Sequence, residues 1–145
     1  MSAFLSTELG QTAGQTAAPV GYKPEAIAYQ ARVKRIRATF TLASQATTDT
    51  LVLGVIPTGA VFAGGELTSS VTLGSSTLAV GNSSSSAKYR VAATVTTTDA
   101  PNLFGLASAL AAGASTSEET VIATIAAAAL PAAGTLVFDI YYSMP

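Results

Sequence analysis

Catalysis needs groups that move protons, attack carbonyls or hold metals, and this sequence is short of them. It contains no histidine and no cysteine. The commonest general base and metal ligand is therefore missing. Neither a Ser-His-Asp nor a Cys-His nucleophile can be assembled, and no disulfide, thiolate or cysteine-bound metal is available. The eight acidic residues stand singly except for Glu118-Glu119. Consecutive strand residues point to opposite faces, so that pair is poorly placed for shared proton chemistry or chelation. Ser85-Ser86-Ala87-Lys88 matches S-x-x-K, in which a lysine activates a serine. The match is common by chance in Ser-rich sequence, and the companion S-D-N and K-T-G motifs are missing. No P-loop, G-x-G-x-x-G, G-x-S-x-G or EF-hand pattern occurs. The sequence thus predicts no enzyme, no cofactor and no metal.

Binding chemistry is nearly as sparse. Arg32, Lys34, Arg35 and Arg37 hold four of the seven basic residues. Arg35 and Arg37 share one strand parity, while Lys34 and Arg32 share the other. A nucleic-acid patch would add further cations and stacking aromatics. The plainer reading is a solvated start of a strand, or an ion-pair strip to a partner. Tyr141-Tyr142 reads as one core and one interface aromatic more readily than as a sugar platform. A net charge of −1 with a pI near 5.2 argues against general nucleic-acid binding.

These residues must be positioned by strands. Ile36, Ala38, Phe40 and Leu42 alternate with Arg35, Arg37, Thr39 and Thr41, a period of two. Further short apolar runs follow at 51–53, 61–63, 67–73 and 77–80, punctuated by Gly, Pro, Asn, Asp or Ser. Such spacing predicts an all-β antiparallel β-sandwich, jelly-roll-like. Pro57-Thr58-Gly59 is a turn signal, Gly64-Gly65 a bulge or bend, and residues 66–73 and 76–80 read as a hairpin around Gly74-Ser75. Residues 87–93 fit either a helical turn or a strand, 95–98 are strand-like, and 103–113 read as a cover or short helix. Residues 121–127 and 135–143 form the last pair of strands. In the latter, Leu136, Phe138, Ile140 and Tyr142 share one face, and the strand is expected within the sheet.

Residues 1–31 differ. Gly10, Gly14, Pro19, Gly21 and Pro24 fall among Thr, Gln and Ala, with no sustained period. The segment cannot build its own core. It is either a solvated tail or an extended N-terminal arm that lies on a neighbour. The spaced anchors Phe4, Leu5, Leu9, Val20, Tyr22 and Tyr29 favour the arm, leaving residues 32–145 as the sandwich domain.

The chain has 145 residues, 49% hydrophobic and only 10% charged. A freely diffusing domain carries about a quarter charged residues. Copies of so neutral a surface repel one another weakly, which suits a chain packed against others. No run approaches the roughly 18 apolar residues of a membrane span. The first residues lack the basic start and apolar stretch of a signal peptide, so assembly in a cytoplasm is expected.

Several stretches together carry a resemblance: the Phe4-Leu5-Ser6-Thr7-Glu8-Leu9 segment, the basic strand at 32–40, residues 50–60, the 71–74 and 77–81 hairpin, Ala87-Lys88-Tyr89-Arg90, and the closing stretch 129–142. The sequence resembles a family of small head structural proteins of tailed bacteriophages, similar to capsid decoration (cement) proteins. The resemblance covers about residues 30–145 and, more loosely, the arm. It implies a β-sandwich without enzymatic activity, held on the virion as a homo-oligomer, a trimer, against the major capsid protein; the charge balance and the lack of a long apolar run separately predict no nucleic-acid or membrane partner. The alternative is a tail- or head-fibre module that binds a receptor, which would be expected to carry more exposed aromatics than this chain has.

Overall fold

The computed structural model describes residues 32–144, in eight strands and one helical turn. The strands are β1 (Arg32–Thr41), β2 (Thr50–Ile56), β3 (Val61–Ser69), β4 (Thr77–Gly81), β5 (Arg90–Thr94), β6 (Asn102–Phe104), β7 (Glu119–Ala126) and β8 (Thr135–Met144). The helix α1 spans Ala107–Leu110. Two antiparallel four-stranded sheets result, ordered β1-β8-β3-β6 and β2-β7-β4-β5. This is an all-β sandwich with the strand order of a jelly roll, in which successive strands mostly change sheets. The sequence-expected arm, residues 1–31, lies outside the described residues.

Alternation builds the core. Leu51, Leu53 and Ile56 of β2, Leu78 and Val80 of β4, and Val121, Ala123 and Ile125 of β7 point inward from one sheet. Phe62 and Leu67 of β3 and Leu136, Phe138 and Ile140 of β8 meet them from the other. In β1 the expected parity holds: Ile36, Ala38 and Phe40 pack on the core while Arg35, Arg37 and Thr39 are exposed. Phe40 is only half-buried, because β1 is an edge strand. Its ring meets Phe138 edge-on, at 6.2 Å and 83°.

Turns and bulges fall where glycine allows them. Ala60 N–H donates to the Pro57 carbonyl (3.2 Å), closing the expected turn, with Gly59 at φ +84°. The β3–β8 register slips between Phe62 and Gly64, the bulge expected at Gly64-Gly65. Gly54 marks a second bulge, in β2, at φ +151°.

Three expectations need correction. Residues 66–73 and 76–80 do not form a hairpin. Strand β3 ends at Ser69, and the Leu73–Ser76 turn carries the chain across to the other sheet. Likewise β7 and β8 lie in different sheets, so the last two strands are not paired with each other. Among the described residues, β4 and β5 are the one consecutive pair hydrogen-bonded together. The third correction is at 95–98, which is not strand. There the backbone leaves the sheet, and the buried Val95 gives its carbonyl to Leu73 N–H at 2.9 Å. The 87–93 ambiguity resolves as a turn over 86–89 that leads into strand β5 at Arg90, and 103–113 holds the end of β6 and α1.

Candidate interaction surfaces

The basic cluster lies on β1, along the free edge of its sheet. Arg35 and Arg37 share the outward face, as their spacing required. Register places Arg37 beside Asp139 of β8, which sits beside Glu66 of β3. The Arg37 guanidinium donates two parallel bonds to Asp139, Nε to Oδ1 at 2.8 Å and Nη2 to Oδ2 at 2.5 Å. Arg35 Nε approaches Oδ1 at 3.9 Å. The Asp139 side chain is only 2% exposed. Hydrogen bonds from Arg37 hold its carboxyl below the usual carboxylate range, against the opposing effect of burial. These two arginines are thus partly neutralised within the fold. Arg32 and Lys34 take the other parity, opposite Met144 and Tyr142, and are exposed, with no ion pair among the described residues. The anchors Phe4, Leu5, Leu9, Val20, Tyr22 and Tyr29 lie outside the described residues.

A second cluster arises where the sequence offered only S-x-x-K and Glu118-Glu119. Glu119, at the start of β7, accepts hydrogen bonds from Lys88 Nζ and from Tyr89 Oη, the latter at 2.5 Å. Lys88 is therefore held by a carboxylate, and the serine-activating reading has no support in this geometry. Burial pushes the Glu119 carboxyl up, but the bonds from Lys88 and Tyr89 outweigh it and the net shift is downward. Burial and the same carboxylate push the Tyr89 phenol up. These groups line a cavity of about 280 Å³ between Phe62, Ile56 and the 112–117 segment. Ser115 ties that segment down. Its N–H donates to Ala60 O and its hydroxyl to Pro57 O, both at 2.8 Å, while Gly59 N–H donates to Ser115 O. No group of three or more His, Cys, Asp or Glu among the described residues could hold a metal. No helix among them is long and apolar enough to cross a membrane.

The two sheets present unlike outer surfaces. One carries Arg35, Arg37, Glu66 and Tyr141. Tyr142, by contrast, packs partly against the core, as expected of that pair. The other sheet turns outward the cross-strand rows Thr50-Thr124-Ala79, Val52-Ile122-Gly81, Val55-Thr120 and Thr94-Thr77-Ala126, of which Ala79 and Gly81 are buried, Gly81 under the backbone at Ser85–Lys88. No member of these rows is charged. Its two charged residues are internally engaged: Glu119 as above, and Arg90, which donates to the carbonyls of Leu78 and Ala93. Sequence reasoning saw the neutral composition but not that one face collects it, since this depends on which strands are neighbours.

No protein-family model matches this chain, and no curated protein sequence does. Solved structures share the fold. A chain in the capsid asymmetric unit of cyanophage Pam1 aligns with a TM-score of 0.67 at 21% identity, covering 93% of this chain and 97% of that one. A chain in the capsid of Ralstonia phage GP4 aligns at 0.61 and 23% identity, over 79% and 85% respectively. A chain in an acid-stable capsid of Helicobacter pylori bacteriophage KHP30 gives 0.53 and 15%, over 78% and 88%. At these identities the likeness establishes the fold.

Proposed function

We propose that this chain is a structural virion protein of a tailed bacteriophage, a decoration or cement protein bound to the outer capsid shell. The observation that carries the reading is the match, over nearly the whole length of both chains, to a chain of a phage capsid. The sparse catalytic chemistry and low charge agree with it. The protein is assembled in the host cytoplasm as a homo-oligomer, a trimer by the resemblance of its sequence, with the major capsid protein as partner.

The proposed mechanism is mechanical. Pressure from packaged DNA separates capsomers, and a protein bound to two of them at once resists, because its contacts must break before the gap opens. Thirty-one extended residues reach about 100 Å. Phe4, Leu5, Leu9, Val20, Tyr22 and Tyr29 are the proposed anchors of that arm. Arg32 and Lys34, exposed where the arm joins β1, are the cations left to pair with an acidic strip on the shell.

Electron cryo-microscopy of the particle that carries this protein tests the reading. The expected result is density for the sandwich on the outer shell, at positions joining capsomers, with residues 1–31 traced onto a neighbouring subunit. Density confined to the tail or fibres would replace it with the fibre-module reading. A sandwich on the shell that touches one capsomer only would refute the bridging mechanism.

A further inference from the structure

We infer that the outer face of the β2-β7-β4-β5 sheet is the surface through which copies of this chain meet, its occupants being the same face of neighbouring subunits about a three-fold axis. The three-fold symmetry rests on the association proposed above; the choice of face rests on the structure.

The sheet edges are already guarded against open-ended pairing, each by a recognised device. β1 carries Arg32, Lys34, Arg35 and Arg37. β2 is bulged at Gly54, where a Cβ would come 2.5 Å from Ile36 Cγ2 of the overlying strand. β5 is bulged and has Arg90 bound to the carbonyls beside the irregularity. β6 is three residues long. What is left unguarded is the neutral face, where Val52 is 58% exposed and Val55 41%.

A face packed against neighbouring copies takes its charges out of water, at a cost of several kcal/mol for each ion that is not repaid by a partner. The rows described above avoid this. The opposite sheet would take the exposed Arg35 and Arg37 out of water.

Width also fits. Four strands at about 4.8 Å make a face about 19 Å across. Three such faces close into a triangular prism whose walls stand about 5.5 Å from the axis, close to half of the roughly 10 Å at which sheets pack. Side chains nearest the axis must then be small. The central strands β7 and β4 offer Thr124, Ala126 and Thr77 there. At each corner β2 of one subunit, with Val52 and Val55, lies against β5 of the next, where Thr94 is exposed. The face is about 440 Å² in projection, below the ~800 Å² per partner of a standard interface. The association is therefore concentration-dependent.

The test is sedimentation velocity on the full chain across concentrations up to the high micromolar range, for wild type, Ile122→Lys, Val52→Glu and, on the opposite sheet, Thr39→Glu. The expected result is a trimer for wild type and Thr39→Glu, and about a threefold fall in mass for the other two, with far-ultraviolet circular dichroism unchanged. If Ile122→Lys does not fold, the exposed Val52→Glu decides. Folded variants that keep the wild-type trimer mass overturn the choice of face and leave the trimer standing. A wild-type dimer overturns the three-fold arrangement. A wild-type monomer at every concentration overturns both the surface and the proposed association.

Discussion

Replacing Phe138 with alanine should be among the costliest single changes to this sandwich, and its relation to Phe40 tests the sheet order directly. Phe138 is fully buried at the middle of β8, with Ala38 of β1 on one side and Leu67 of β3 on the other. Both neighbouring backbones are fixed by ladder hydrogen bonds, so the space left by the ring cannot collapse. That places Phe138→Ala at about 4–5 kcal/mol, the upper end of phenylalanine truncations. Phe40 points to the same core but stands on the edge strand, half-buried. Part of its ring is hydrated before and after truncation, so Phe40→Ala costs about 2 kcal/mol by apolar area. The rings meet edge-on, an arrangement worth about 0.5–1.5 kcal/mol beyond area. The double variant should therefore lose less than the sum of the singles by about 1 kcal/mol. Urea denaturation of all four proteins at one fixed concentration measures each number. Equal losses at Phe40 and Phe138 would refute the placement of β1 at the sheet edge. A coupling within error of zero would refute the ring contact.

Two further outcomes follow from the ion pairs and the bulge. Asp139 and Glu119 both ionise more readily folded than unfolded. Their stabilisation is complete above the unfolded carboxylate values of roughly 4 and is lost as pH falls through the lower folded values. The thermal midpoint should thus be flat near neutrality and drop below about pH 4, and Asp139→Asn should be less stable at pH 7 with a shallower acid slope; an unchanged acid slope in that variant would refute the assignment. Gly54→Ala combines φ +151° with a Cβ 2.5 Å from Ile36 Cγ2 and should cost about 2–4 kcal/mol from strain and overpacking. Gly59→Ala, at φ +84° with open space around it, should cost only about 1 kcal/mol; thermal unfolding that reverses this order would show the β2 bulge to be misplaced.

What could be read from the sequence was local. The parity of Ile36, Ala38 and Phe40 follows from side-chain alternation within one strand, and the Pro57–Gly59 turn and the Gly64 bulge from backbone permissiveness at single positions. Strand partners were not legible. Turn residues at Gly74-Ser75 report that the chain reverses, not which sheet it joins next, so a crossover between sheets was read as a hairpin. Val95 to Thr98 have the β-branched composition of a strand, yet the Val95 carbonyl is taken by Leu73 N–H outside any ladder. The site behaved alike. Arg35 and Arg37 were visible as a pair, but their acid lies 102 residues from Arg37 and is brought there by the β1–β8 register. Glu119 looked idle in sequence because Lys88 and Tyr89 approach it from the loop before β5, 31 and 30 residues away.

The neutral composition acquires a sharper meaning once these contacts are placed. Of the few charged residues in the sandwich, Arg35, Arg37 and Asp139 are joined across β1 and β8, and Lys88 and Glu119 close one end of the core. Arg90 satisfies backbone carbonyls beside a bulge, and Asp49 Oδ2 accepts Ala46 N–H to fix the β1–β2 loop. Charges committed in this way order the fold and contribute little long-range field, since each pair is a short dipole at physiological screening lengths. Repulsion between copies is correspondingly weak, and shape rather than charge decides which surfaces meet. Such a surface is consistent with the proposed place of this domain on a crowded shell. On that proposal the exposed Arg32 and Lys34, beside the proposed arm, are the cations available to pair with an acidic strip.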